Sequence, residues 1–178
     1  MFSLVIFLTC LFVALAAGAM AAWSDFKGLT ILNWHSVAVL GSFIAAYSMM
    51  YALGHGHVFA SLVSHLAAGL VMFVITAILF ALKTMGAADS KLSTAYAFWA
   101  GIAGLPAFLF YMTLAGGIIG IAALVMKKRK PFKNPPPGSW VARLQEGENK
   151  VPYGIAIFCG ALACFVKLGY FNQVIMSF

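Results

Sequence analysis

Residues 2–22, FSLVIFLTCLFVALAAGAMAA, run for 21 positions without a charged side chain. About 20 apolar residues in a helix cross the hydrocarbon core of a bilayer. Further apolar runs occupy residues 34–53, 58–82, 93–126 and 152–172. Inside lipid every backbone N–H and C=O must be paired within the chain, which leaves helices or a closed barrel. Runs of this length are too long for barrel strands, so the expected fold is all-α, a polytopic membrane protein forming one domain over residues 1–178. Only 8% of the residues are charged and 63% are apolar. A soluble domain carries about 25% charged residues, so a water-soluble globule is excluded. Disorder, which needs low hydrophobicity and high charge, is excluded as well.

The run at 93–126 is the longest. At ~1.5 Å per residue one helix of that length would reach about 51 Å, too far for a core of about 30 Å. Gly101, Gly104 and Pro106 offer a break, so two short spans with a turn are expected there. That makes six transmembrane helices. With six, ten of the eleven Lys/Arg fall in the three loops of one side and only Lys167 does not. Positive loops stay in the cytoplasm, which predicts both termini outside it. The first run has the small residues of a signal-peptide end but lacks the basic start such a signal needs. It reads as a retained first helix.

Four acidic residues exist: Asp25, Asp89, Glu146 and Glu148. The glutamates sit in the polar loop 127–150, where solvated charge needs no special account. Asp25 follows the first span and Asp89 precedes the fourth, both on the cytoplasmic side. Carboxylates beside a membrane are costly and often functional. The structural reading makes Asp89 a helix N-cap and Asp25 a turn residue paired with Lys27. The functional reading is a dyad in which one aspartate keeps a proton and the other acts as base. Such a pair activates water and protonates a departing amide nitrogen. Helix dipoles favour the ionised form of Asp89, at a helix start, and the protonated form of Asp25, at a helix end.

At these aspartates the chain resembles the type IV prepilin peptidases, in particular the short members serving Flp (tight-adherence) pili. The segment Asp25-Phe26-Lys27-Gly28-Leu29-Thr30-Ile31-Leu32-Asn33 resembles the motif D-x-x-x-x-x-I-P-N, with Leu32 for proline. Gly86-Ala87-Ala88-Asp89-Ser90-Lys91-Leu92 resembles G-x-G-D followed by x-K-L, with Ala88 for the second glycine. Val151-Pro152-Tyr153-Gly154 is a third similarity. The resemblance implies a membrane aspartic endopeptidase, a hydrolase of the bacterial inner membrane. Its implied partner is a Flp-type prepilin, whose basic leader is cleaved on the cytoplasmic side just after a glycine. It further implies Asp25 and Asp89 as catalytic residues, with Gly86, Lys91 and Asn33 as supporting motif positions. Larger relatives carry a methyltransferase domain with a cysteine tetrad; neither is expected here, nor a cofactor or metal. Ala88 adds a methyl group and less freedom for positive φ, so it bears on the shape of the Asp89 loop.

The remaining features read as membrane furniture. Lys91 is a positive-inside anchor, with tuning of Asp89 or contact with phospholipid as sharper alternatives. Loop 127–150 carries seven of the eleven basic residues and suits anionic membrane lipids rather than nucleic acid. His55, His57 and His65 have a loose metal-like spacing but no acid on their side, and read as interfacial histidines. Cys10, Cys159 and Cys164 form no C-x-x-C pair and read as buried small hydrophobes. Two other functions stay open: a small transporter or channel subunit, and a non-catalytic scaffold for pilus assembly. Transporter sites sit near the bilayer midplane, unlike these aspartates.

Overall fold

The computed structural model describes residues 2–172. Met1 and residues 173–178, and with them the predicted side of each terminus, lie outside the described residues. Six α-helices follow in order among these residues: α1 (Phe2–Gly28), α2 (Asn33–Ala52), α3 (Leu62–Ala81), α4 (Ala87–Arg129), α5 (Trp140–Glu146) and α6 (Tyr153–Lys167), with a short 3-10 helix at Gly56–Val58 between α2 and α3. No strand occurs among the described residues. Large apolar side chains face outward, among them Phe2, Phe12, Val63, Leu70 and Leu124. A surface of that kind suits lipid and would be a liability in water.

Four helical stretches among the described residues are long and apolar enough to cross a membrane: Phe2–Gly28, Asn33–Ala52, Gly56–Ala81 and Ala87–Arg129. The predicted count of six needs α4 to cross twice and the 15-residue α6 to cross as well. The contacts of α4 with α6 bear on this. Asp89 and Tyr153, the first residue of α6, line one cavity. Further along, the Tyr170 hydroxyl, beyond the end of α6, donates to the Trp99 carbonyl at 2.9 Å. The Cys164 thiol then reaches the Gly104 carbonyl at 3.4 Å, and a Cβ on Gly116 would meet the Tyr153 ring at 3.3 Å. The chain climbs α6 and descends it again, so α4 is two arms, 87–100 and 102–129.

The turn is a single residue. Gly101 has φ 60° and ψ 176°, a region open essentially to glycine alone. Of the three predicted breakers only Gly101 breaks the helix; Gly104 and Pro106 lie within the second arm. A break exposes backbone groups that lipid cannot satisfy. Neighbouring side chains supply the partners. His65 Nδ1 bonds the Phe98 carbonyl at 2.7 Å, the Ile102 N–H donates to Ser64 Oγ at 3.1 Å, and Tyr170 serves Trp99. His65 is therefore a core residue, 1% exposed, and the interfacial reading is corrected. His55 and His57 remain at the surface turn before α3. Replacing His65 by leucine keeps the volume and orphans a carbonyl. A loss of about 1–3 kcal/mol is expected, measurable by unfolding in detergent with Val63→Ala, at a 74% exposed position of the same helix, as the wild-type-like control.

At this end of the molecule Phe7, Phe43, Phe59, Trp99, Phe165 and Tyr170 pack ring against ring. The opposite end is polar and collects the loops after α1, α3 and α4. The cysteines are free; Cys164 is buried, whereas Cys159 is exposed on α6, against expectation.

Candidate active site

Both aspartates stand at the polar end, beyond the apolar runs that cross the bilayer. The α1 run stops at Ala22, and Asp25 follows in the last turn of that helix. Its side chain is 5% exposed and turns away from Lys27, whose ammonium lies 4.9 Å from the Trp23 ring centroid. One carboxylate oxygen instead accepts the Gly154 N–H at 2.7 Å. Gly154 is the second residue of α6, so a helix start with its free N–H groups points at Asp25. The approach is close: a Cβ there would stand 3.0–3.1 Å from Ile31 and from Asp25 itself, so these side chains would have to yield by a few tenths of an ångström.

Asp89 occupies the first turn of α4, one turn ahead of the arm's apolar run. Gly86, not Asp89, is the N-cap, and its N–H donates to Asp89 Oδ2 at 3.2 Å. This is the reaching-back half of a capping box. A Cβ on Gly86 would come within 2.8 Å of that oxygen, which accounts for the glycine. Ala88 lies inside the helix and is absent from the non-glycine residues with positive φ. Alanine therefore suits the backbone at this position.

The two carboxyls line one cavity of about 510 Å³ at the polar end. Lys83 and Lys150 share it, and residues 149–151 form part of its wall. That wall is held by α5, a helix unforeseen in loop 127–150. Trp140 of α5 packs on Phe26 at 6.0 Å between ring centroids, and its indole N–H donates to the Lys150 carbonyl at 2.9 Å. Lys127 also donates to the Gly147 carbonyl at 2.8 Å. The α5 face of the loop is thus packed, while Lys128, Arg129, Lys130, Lys133, Glu146, Glu148 and Lys150 are exposed as solvated charge. Leu29 (φ 53°) and Lys83 (φ 59°) also line the cavity, held in the left-handed region that non-glycine residues avoid.

Burial sets the electrostatics. Desolvation raises the pKa of Asp25 to about 6, against the opposing pull of the Gly154 N–H. Asp89 is raised to about 7 by burial and by the charge of Asp25, with the Gly86 N–H opposing. Asp89 Oδ1 is buried and finds no hydrogen-bond partner among the described residues, an environment that favours a neutral carboxyl. The Gly154 N–H favours the ionised form at Asp25 and the unpartnered Oδ1 favours the neutral form at Asp89, where the expectation from the dipoles of their own helices was the reverse. That expectation weighed each aspartate against its own helix and missed α6, whose start faces Asp25.

Asn33 and Lys91 meet each other rather than the aspartates. Lys91 Nζ donates to Asn33 Oδ1 at 3.0 Å, joining the start of α2 to the second turn of α4. Two helical positions apart means ~200° around the axis, so Lys91 faces away from Asp89 and does not tune it. Leu32, before Asn33, has φ −75°, the angle a proline would impose. Gly154, Tyr153, Lys83 and Lys150 were not predicted as site residues. The similarity at Val151–Gly154 was the available signal for the first two. No group of three His, Cys, Asp or Glu able to hold a metal ion occurs among the described residues.

Against known proteins, the model of the type IV leader peptidase family matches residues 9–121, well over half the chain and including both aspartates. No curated protein and no solved structure matches.

Proposed function

Because the chain belongs to the type IV leader peptidase family, we propose that Asp25 and Asp89 are its catalytic pair and remove the leader of a Flp-type prepilin. The observation that carries this reading is one cavity lined by two carboxyls, Asp25 buried and Asp89 half-buried, both raised in pKa. Backbone strain at Leu29 and Lys83 on the same cavity is a further support, since such strain gathers at functional sites. The ten basic residues cluster with the loops of this end, which supports a cytoplasmic site. Six crossings, with α4 crossing twice, complete the proposed topology in the inner membrane.

In the proposed reaction the prepilin's apolar helix lies in the bilayer and its leader enters the cavity. Ionised Asp25 takes a proton from water as the water oxygen bonds to the scissile carbonyl carbon. Protonated Asp89 gives its proton to the developing oxyanion, yielding a gem-diol. Asp25 then passes the proton it took to the amide nitrogen, Asp89 takes one back from a gem-diol hydroxyl as the C–N bond breaks, and a carboxylic acid and an amine are released. The Gly154 N–H favours the ionised form of Asp25 against the desolvation that opposes it, and Lys83 and Lys150 bring positive charge to the same cavity.

The test is leader removal by the purified protein in detergent, followed by gel mobility and mass, across pH 4–9. Below about 6 both carboxyls gain protons and the base is lost. Above about 7 both ionise and the acid is lost. A bell-shaped profile with its maximum between these limits is expected. A flat profile across this range would refute the dyad.

A further inference from the structure

Helices α2 and α3 each flank the first arm of α4, and between them a groove of about 390 Å³ opens toward lipid. Its outer walls are Val37 of α2, 68% exposed, and Phe73 of α3, 53% exposed. Ala95 and Phe98 form its floor, and Lys91 stands at its mouth. We propose that this groove binds one anionic phospholipid, with the phosphate on Lys91 and an acyl chain lying along α4.

Charge and order along the groove carry the proposal. An ammonium group has three N–H donors, and Lys91 uses one on Asn33, leaving two for a phosphate. No acidic residue lines the groove. One helical turn deeper stands Thr94, whose hydroxyl is buried and has no hydrogen-bond partner among the described residues. A phospholipid presents its groups in that sequence: phosphate, then ester carbonyls able to accept the Thr94 hydroxyl, then hydrocarbon. From Lys91 to Phe98 the arm descends ~10 Å, from the polar end into the apolar layer. The substrate helix is a poorer occupant, because Lys91, Ala95 and Phe98 lie on the side of α4 opposite Asp89. A chain seated there would have its scissile bond across the helix from the carboxyls.

Native mass spectrometry of the detergent-purified protein tests this, with phosphatidylglycerol or phosphatidylcholine added. The wild type is expected to retain one phosphatidylglycerol at least tenfold more tightly than phosphatidylcholine. Lys91→Met, which keeps the stem and loses the charge, and Val37→Trp, which fills the groove from its exposed wall, should each lower retention tenfold or more. Thr94→Val should lower it severalfold, and Lys133→Met in the basic loop should leave it unchanged. Undiminished retention in both Lys91→Met and Val37→Trp overturns the proposal. Displacement of the lipid by equimolar inorganic phosphate also overturns it, since the groove would then add nothing. So does a photo-crosslinker at position 37 that captures a prepilin helix in place of lipid.

Discussion

Replacing either aspartate by asparagine is expected to lower leader cleavage by roughly a thousandfold or more, while the protein inserts and folds as before. General acid–base groups contribute about 10²–10⁴-fold, and residues that act as a unit lose most of that together. The double variant should therefore be little worse than either single one. The folding control has a definite sign. Both carboxyls have pKa values raised above 3.8 in the folded protein, so the folded state binds protons more tightly than the unfolded chain. Their burial is tolerated at low pH and becomes destabilising as pH rises through about 6 and 7. Asparagine carries no charge to bury. At pH 8 the melting temperature of Asp89→Asn should thus equal or exceed that of the parent. A variant that is stable and inactive identifies chemistry; one that retains cleavage removes the aspartic mechanism.

Gly154→Ala is expected to lower kcat about 10- to 100-fold with KM little changed. The added methyl group would lie 3.1 Å from Asp25 Cβ and from its carboxylate oxygen, so the carboxyl must yield by a few tenths of an ångström. Misplacement of a reacting group by about 1 Å can cost a hundredfold. The N–H remains, and alanine favours a helix over glycine by about 1 kcal/mol, so α6 should not weaken. A lower kcat with an unchanged or higher melting temperature marks Gly154 as a positioning residue. A fall in both would mean that the glycine serves packing alone. Turnover should fall further with Gly154→Ser than with Gly154→Ala, in order of side-chain size.

What the sequence could reveal depended on range along the chain. The break in the run at 93–126 was legible because one helix of that length overshoots a bilayer, and glycine at 101 answers the need. The aspartates were legible because charge is rare here and the flanking motif residues lie within a few positions. The groups that make the break possible were not legible. His65 and Ser64 lie more than 30 positions from the carbonyl and N–H they serve, and nothing local distinguishes them from other residues of an apolar helix. The same distance hid the α6 helix start facing Asp25, contributed by Gly154 at a separation of 129 residues, and with it the N–H that favours the ionised form there. Lys91 and Asn33 were both singled out from their motifs, yet their partnership with each other appears only when α2 and α4 are seen side by side. The α5 helix has local signals in Ser139, which caps its start, and Gly147 (φ 114°), which ends it. The surrounding charge outweighed them in the reading.

The first arm of α4 runs only from residue 87 to residue 100 before Gly101 turns it back. At ~1.5 Å per residue it is about 20 Å long, some 10 Å less than the hydrocarbon layer around it. Leu92, Ser93, Tyr96, Ala97 and Trp99 of this arm are buried among the other helices, so the shortfall is met largely by protein rather than by lipid. Under the proposed function, the open cavity at Asp89 would let water reach below the level of the headgroups, and a peptide bond at the edge of a transmembrane helix would meet it without leaving the membrane.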